Sequence, residues 1–271
     1  MEEAPFPSYL PPAYKGYFGA FHVTRDRAAA LFSEMRSLPL TPSLLLARGL
    51  FGRLLDVTQS VAVLTWHGRA WDATILLRVS LETLIRFRAA AIDPELADRM
   101  VYSDILEKER LVSPDAEAAT GDWSAPERAK LNEIRGNLAS LRDRFRRKGY
   151  REKGRIRISQ LARVCGLEHL YESVYRFSSA YVHFSLRAID EYIIKDDQGL
   201  PKQLEFAPTA LRGDFHLLTS ISFLLLGIET SVIGFDLRPP ADLPDVLGKL
   251  AEIGVDPPPA LVEFLNSHAG T

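Results

Sequence analysis

The sequence predicts an all-α protein: a helical bundle of four long core helices, with additional shorter helices and an extended N-terminal arm. Two observations support this fold class. Apolar residues recur at helical spacing in long segments that proline and glycine separate, and no alternating apolar pattern of useful length indicates a sheet. The four core helices are predicted at residues 41–66, 70–92, 168–195 and 210–235.

Residues 1–23 are predicted to form the arm, because they combine proline with aromatic residues and show little periodicity. We expect this arm to pack on the bundle through Phe6, Tyr9, Tyr14, Tyr17, Phe18 and Phe21. A first helix is predicted from Thr24, whose hydroxyl is a suitable N-terminal cap, to about Leu38, before Pro39 breaks it.

The later boundaries follow from local signals. Thr41 before Pro42 favours a helix start, and Gly68 favours a helix end. Shorter helices are predicted at 94–112, 126–148, 159–166, 243–253 and 259–266. Pro239 and Pro240 mark a boundary. We therefore predict a bundle domain over residues 24–238 and a C-terminal helical appendage over residues 239–271.

The composition is typical of a globular protein, with 46% hydrophobic and 25% charged residues and a net charge of −2. This charge provides no global basic field for nucleic acid. The single cysteine, Cys165, excludes an internal disulfide framework and a cysteine-based zinc cluster. The histidines show no ligand spacing and no phosphate-binding glycine loop is present, so we expect no metal and no cofactor.

Two features bear on location. The first residues lack a basic segment followed by a continuous apolar one, so we expect no secretory signal and a cytoplasmic protein. The most apolar run, residues 216–235, contains Glu229 and several hydroxyl side chains. We interpret it as a buried core helix rather than a membrane span.

The predicted helix 168–195 is apolar almost all round, apart from one narrow polar edge formed by Glu172, Arg176, His183, Arg187 and Asp190. Seven helical steps separate Arg176 from His183. They rotate about 20° short of two full turns and rise about 10.5 Å. Both side chains therefore project from one side of a helix that we otherwise predict to be buried.

The predicted helix 70–92 carries its own polar edge, with Arg78, Glu82 and Arg86 at four-residue steps. Two interpretations remain open. These residues pair with one another at a solvent edge, in the favourable Glu-before-Arg order. Alternatively, Glu82 meets the edge formed by Arg176 and His183 across the bundle, where a carboxylate would raise the histidine pKa and fix its tautomer.

Two segments together resemble the motifs of a large, uncharacterised bacterial family of helical domains. One is ATILLRVSLETLIRFRAAA, with Arg78 four residues before Glu82; the other is LARVCGLEHLYESVYRFSSAYVHFS, with Tyr175, Ser179 and His183 at four-residue steps. The resemblance covers roughly residues 41–235. It implies an all-helical fold and brings no assigned activity.

The pair Arg176 and His183 is also similar, more loosely, to the Arg-x4–6-His signature of HEPN domains. Many of these are ribonucleases of toxin, CRISPR-associated and antiphage systems. The resemblance implies a homodimer in which the histidine acts as general base or acid towards the 2′-hydroxyl and the arginine holds the phosphate. Arg78 and Glu82 would position them. The sequence departs from the family pattern at Phe177, where active members usually carry a polar residue.

The stretch from Arg142 to Arg157 holds nine basic and two acidic residues, with Phe145 and Tyr150 interleaved. Such a stretch suits a phosphate backbone, and its aromatic rings suit stacking on bases. The candidate RNA contacts are Arg144, Arg146, Arg147, Lys148, Tyr150 and Arg151. The alternative is a solvated helix end.

Two hypotheses for function follow. The first is an HEPN-like, metal-independent endoribonuclease of a bacterial toxin or antiphage defence system, with RNA, a second copy of the chain and a partner protein of that system as partners. Its catalytic set would be Arg176, His183, Glu82 and Arg78. The second is a non-catalytic helical interaction module in which the same four residues form a structural polar network.

Overall fold

A computed structural model describes residues 6–114, 123–151, 156–182, 193–204 and 209–268. Helices form nearly all of the regular structure in these residues, and the one sheet among them has two strands. The predicted all-α class is therefore confirmed.

The first four helices succeed one another with short connections: α1 (Tyr14–Met35), α2 (Pro42–Trp66), α3 (Ala70–Ile92) and α4 (Pro94–Leu111). The predicted start of α2 is confirmed, because the Thr41 hydroxyl accepts a hydrogen bond from the Leu44 amide at 3.1 Å. Asp93 caps α4 in the same way, through the Glu95 amide. The proline after each cap occupies the first helical turn, where its missing amide hydrogen costs nothing.

The predicted start of the first helix at Thr24 is wrong. Helix α1 begins ten residues earlier, at Tyr14, and the part of the predicted arm that is described before it spans residues 6–13. Thr24 is buried within the helix and donates a hydrogen bond to the Ala20 carbonyl. Tyr14, Phe18 and Phe21 form a buried helical face. The prolines and glycines near them in the sequence favoured an irregular segment instead, so this helical spacing was not recognised.

The core lies between α1, α2, α3 and a long apolar helix, α9 (Gly213–Phe235). Phe51 and Phe87 stack at its centre, with ring centroids 4.8 Å apart. Helix α9 is the one helix in the described ranges that is long and apolar enough to cross a membrane, and 67% of its most apolar window is buried within the structure. It occupies the position of a core helix, as predicted.

The predicted single helix 168–195 is wrong at its end, where Ile193–Lys195 is strand β1. Before it, the described residues form α7 (Glu168–Leu170), a π-helical turn (Tyr171–Tyr175) and α8 (Arg176–Val182), and residues 183–192 lie outside the described ranges. Strand β1 pairs antiparallel with β2 (Pro201–Leu204), with Ile193 opposite Leu204. The turn between the strands is stabilised locally, since the Asp196 carboxylate accepts hydrogen bonds from the amides of Gln198 and Leu200.

The remaining helices are peripheral: α5 (Ala125–Arg147), α6 (Ile158–Val164), α10 (Leu243–Glu252) and α11 (Pro259–His268). Helix α5 packs on α4 and begins with a capping box between Ser124 and Glu127. Helices α10 and α11 contact α1 and α9, respectively. Their side chains Leu243, Leu250 and Leu261 are buried in the same hydrophobic core as the long helices.

Candidate functional site

A half-buried polar cluster joins α3 to the π-helical turn. Arg78 Nη2 donates a hydrogen bond of 2.6 Å to the Tyr175 hydroxyl, and the guanidinium carbon lies 4.2 Å from the centre of the Tyr175 ring. The side chain of Arg78 is 18% exposed. A cation over an aromatic face at this depth is stabilising by roughly 0.5–2 kcal/mol. Arg78 therefore fixes Tyr175 both by a directional bond and by ring contact.

Glu82 lies between two arginines of its own helix. Its Oε1 is 3.3 Å from Arg78 Nε, and its Oε2 is 3.4 Å from Arg86 Nη1. These are the ion pairs that the first interpretation of this edge predicts. The carboxylate orients the Arg78 guanidinium towards Tyr175, and it offsets the charge of an arginine that is largely withdrawn from solvent.

The second interpretation, in which Glu82 meets the edge formed by Arg176 and His183, fails for Arg176. Within the described residues, both ion pairs of Glu82 lie inside α3, whereas Arg176 Nε pairs with Glu172 Oε2 at 2.5 Å. His183, the other half of the predicted catalytic pair, lies outside the described residues. A polar contact that does link the two motifs is Arg78 with Tyr175, which sequence reasoning missed. Both residues stand in the quoted motifs, but helix periodicity alone cannot pair side chains on separate helices.

The π-helical turn sets the direction of these side chains. Its rings Tyr171 and Tyr175 stack with centroids 4.5 Å apart, and burial raises the pKa of Tyr171. Val174, on the same turn, is buried, whereas Glu172 and Ser173 are exposed. A π-helical turn shifts the helix register by one residue and occurs often at functional sites. Here it presents Tyr175 to Arg78 immediately before Arg176.

Arg176 projects outward. Its side chain is 73% exposed, and the neighbouring Val182 is also exposed. The opposite face of α8 is buried: Ser178 is inaccessible and Tyr181 packs edge-on against Trp71. The outward position of Arg176 agrees with the predicted polar edge, whereas the exposure of Val182 departs from the expectation that the rest of this helix is buried.

Phe177, which departs from the HEPN pattern, faces the protein interior. Its ring contacts Phe215 at 5.4 Å and Tyr181 at 5.2 Å, and the Arg212 guanidinium lies 4.7 Å from its centre. The apolar residue at this position thus anchors α8 to the start of α9 and leaves the outer face to Arg176.

The predicted RNA-contacting residues divide into two groups. Arg144, Arg146 and Arg147 are exposed along the last turn of α5, with Arg146 near Asp143 at 4.0 Å. Lys148, Tyr150 and Arg151 follow the helix, and the first two contact α4.

Among this second group, Lys148 pairs with Asp98 at 2.8 Å, and the ring of Tyr150 lies 6.0 Å from that of Tyr102 and 5.7 Å from that of Phe145. Burial raises the pKa of Tyr150. Both aromatics of the basic stretch therefore pack on α4. Within the described part of this stretch, Arg142, Phe145, Lys148 and Tyr150 contact α4.

Sequence reasoning missed a second polar group, at the buried junction of α3 and α9. His216 Nε2 lies 2.8 Å from Thr74 Oγ1, and the Thr74 hydroxyl also bonds to the Ala70 carbonyl. His216 is fully buried; burial, together with the nearby charge of Arg212, lowers its pKa to about 4. The imidazole is neutral at pH 7. His216 stands in the most apolar segment of the chain, and this position could have indicated that it is buried.

The described residues contain no cluster of three or more His, Cys, Asp or Glu side chains that could hold a metal ion. Cys165 is buried, with its sulfur 3.7 Å from the Ile85 carbonyl, and burial raises the pKa of its thiol to about 11. A thiol in this environment stays protonated at neutral pH and is a poor nucleophile.

The fold and this cluster define the class of protein. It is a helical-bundle domain in which the arginine of an Arg-x3-Glu helix, Arg78, binds a tyrosine of a second helical segment, Tyr175. More particularly, the chain belongs to a family of unknown function (DUF5677), whose profile matches residues 44–200. The match includes both motifs but ends before α9, earlier than the resemblance suggested. A similarity to HEPN domains is not shown. No curated protein matches the chain significantly, and no solved structure does so.

Proposed function

We propose that this protein is an HEPN-like, metal-independent endoribonuclease that uses Arg176 and His183. The observation that carries the proposal is the placement of Arg176. Its side chain is 73% exposed on the outer face of a helix whose inner face is anchored to α3 and α9. An exposed ion pair such as Arg176 with Glu172 contributes at most about 1 kcal/mol, so a phosphate can replace the carboxylate.

In this proposal His183 removes the proton from a ribose 2′-hydroxyl, and the 2′-oxygen attacks the adjacent phosphorus. The bond from phosphorus to the 5′-oxygen breaks. The products are a 2′,3′-cyclic phosphate and a 5′-hydroxyl, whose proton comes from His183 of a second copy. Arg176 stabilises the charge that develops on the phosphate oxygens, a contribution worth about 10²–10³ in rate for a well-placed donor.

Arg78 and Glu82 have a positioning role in this scheme. Their contacts reach Tyr175, the residue directly before Arg176, and not the solvent face where RNA would bind. Arg144, Arg146 and Arg147 are exposed and remain candidates for contacts to the RNA backbone. The proposal includes a cytoplasmic homodimer that acts in a bacterial toxin or antiphage system, with a partner protein that restrains it.

The test compares cleavage of end-labelled single-stranded RNA by the purified wild type, His183→Ala and Arg176→Ala, with and without EDTA. We expect each variant to lose about 10²-fold or more in rate, and EDTA to have little effect. Arg163→Ala is the matched control, because Arg163 is 74% exposed and also pairs with a glutamate, Glu168. Equal cleavage by the wild type and His183→Ala would contradict the proposal.

A non-catalytic interaction module is the second candidate. It is favoured by the contacts of Arg78 with Glu82 and Tyr175 within one chain, because a polar network of this kind can specify how two helices align. This function predicts that Arg78→Ala alters stability while His183→Ala alters neither RNA cleavage nor growth of cells that express the protein. Sedimentation equilibrium measures whether the chain forms the dimer that the ribonuclease requires.

A further inference from the structure

A polar cavity of about 520 Å³ lies between α4 and the residues that follow α5. It is lined by Glu95, Arg99, Tyr102, Lys148, Gly149, Tyr150 and Arg151. Gly149 has a φ of +93°, a conformation that glycine adopts readily, and this turn brings Tyr150 back against α4. The volume is within the range of roughly 300–1,000 Å³ that is usual for small-molecule sites.

The cavity lining is positively charged, with three cationic side chains and one carboxylate, Glu95. Lys148 is paired with Asp98 at 2.8 Å. Arg99 and Arg151 are exposed and form no ion pair with the carboxylates of the described ranges. Two guanidinium groups around one cavity suit a phosphate group, because each presents a planar pair of N–H donors to its oxygens.

Tyr102 supplies an independent indication of a ligand. The residue is only 4% exposed, yet its hydroxyl has no hydrogen-bond partner among the described residues. A buried hydroxyl without a partner is unfavourable, so such groups normally meet a protein atom, a water molecule or a ligand. Tyr102 lines the same cavity as the two arginines, although its hydroxyl has almost no accessible surface. A small movement of the ring would bring this hydroxyl to a phosphate oxygen in the cavity.

Tyr150 adds an aromatic surface to the cavity. Its ring is held by Tyr102 and Phe145, with centroids 6.0 Å and 5.7 Å away, and is half-buried. An aromatic ring fixed beside cations is the combination on which nucleobases stack while their phosphates are neutralised. A volume of about 520 Å³ suits one nucleotide better than an extended strand.

We infer that this cavity binds a nucleoside monophosphate. Arg99 and Arg151 hold the phosphate, Tyr102 donates a hydrogen bond to it, and Tyr150 contacts the base. The inference assigns Lys148, Tyr150 and Arg151 to a small ligand and adds Arg99 and Tyr102 from α4, which sequence analysis did not single out. It rests on contacts of α4 and α5 and does not depend on the proposed ribonuclease activity.

Isothermal titration calorimetry of the full chain tests the site. Each of the four ribonucleoside 5′-monophosphates is titrated near physiological salt, beside its nucleoside and inorganic phosphate. We expect at least one monophosphate to bind with a Kd of about 100 μM, and its nucleoside and inorganic phosphate to bind at least about tenfold more weakly. No binding by any monophosphate overturns the inference, as does equal binding by the nucleoside or by inorganic phosphate.

Single substitutions locate the ligand. Arg99→Ala and Arg151→Ala are each expected to weaken binding about tenfold, and Tyr102→Phe, which removes only the hydroxyl, about threefold or more. Arg128→Ala is the matched control, since it removes the same charge from the exposed start of α5 outside the cavity, and it should change Kd less than about twofold. If Arg128→Ala weakens binding as much as Arg99→Ala, a diffuse charge effect accounts for the binding and the inference is wrong. Because Arg99 and Arg151 are exposed, their variants test the site even if Tyr102→Phe proves unstable.

Discussion

Arg78 binds the hydroxyl of Tyr175 at 2.6 Å, across 97 positions of the sequence, and its guanidinium lies 4.2 Å from the centre of the same ring. One arginine thus connects the two motifs of the family. Because Tyr175 directly precedes Arg176, the position of the exposed arginine on α8 depends on a side chain of α3. Stability and any activity of the Arg176 face are therefore coupled through this contact.

Replacement of Tyr175 by phenylalanine removes the hydrogen bond and keeps the ring. We expect the free energy of unfolding to fall by about 1–2 kcal/mol, as for a partly buried hydrogen bond to a charged group. Arg78→Ala should cost more, because Glu82 and Tyr175 both lose a partner. Urea denaturation measures these changes. Arg86→Ala is the control: that side chain is 45% exposed, and its pair should contribute less than about 0.5 kcal/mol. Equal losses for Arg78→Ala and Arg86→Ala would contradict the central role of Arg78.

Arg88 of α3 and Glu229 of α9 form an ion pair, with Arg88 Nη1 2.5 Å from Glu229 Oε1. The glutamate side chain is only 5% exposed. Glu229→Ala leaves the arginine without its partner in a low-dielectric setting. We expect the free energy of unfolding to fall by about 3 kcal/mol. A double-mutant cycle with Arg88→Ala should show a coupling of about 1 kcal/mol or more. Additive single changes would show that the two charges do not stabilise each other.

Stability should fall as the pH decreases from about 6.5 towards 4, in part because of His216. Burial lowers its folded-state pKa to about 4, while the unfolded chain retains the ordinary value of 6.5. In this window the unfolded state binds a proton that the native state does not, so protonation favours unfolding. The neutral His216 makes its full contribution to the free energy of unfolding above pH 6.5. About 2 kcal/mol of this contribution is lost by pH 5. Urea denaturation at pH 7 and pH 5 should show a smaller loss in His216→Gln than in the wild type; an equal loss would exclude this histidine as the cause.

The thiol of Cys165 should resist alkylation in the native protein. Burial raises its pKa to about 11, so the reactive thiolate is scarce at pH 7.5 and the sulfur is also shielded from reagent. Mass spectrometry after exposure to iodoacetamide should find little modification without urea and full modification in unfolding concentrations of urea. Rapid labelling of the native protein would show that the segment around Cys165 opens readily.

Helix boundaries set by adjacent residues were predictable from the sequence. Thr41 with Pro42, and Asp93 with Pro94, start α2 and α4 because a capping side chain and a proline act within one turn. The start of α1 was not predictable in this way, since its buried face of Tyr14, Phe18 and Phe21 lies among prolines and glycines. Strand β1 was also missed. The turn at Asp196 makes a hairpin possible, but whether Ile193 continues a helix or pairs with Leu204 depends on a second segment.

By itself, the sequence determined the all-α class, the positions of most helices and the residue types of two polar edges, because these depend on periodicity and on interactions within one helical turn. Only the tertiary structure decided which side chains meet. It directs Arg78 to Tyr175, keeps Glu82 within its own helix and leaves Arg176 on the solvent side of α8. It also brings Arg99 and Tyr102 of α4 to Arg151. Helical spacing defines a face, but the packing of neighbouring helices determines whether that face meets water, a ligand or the core.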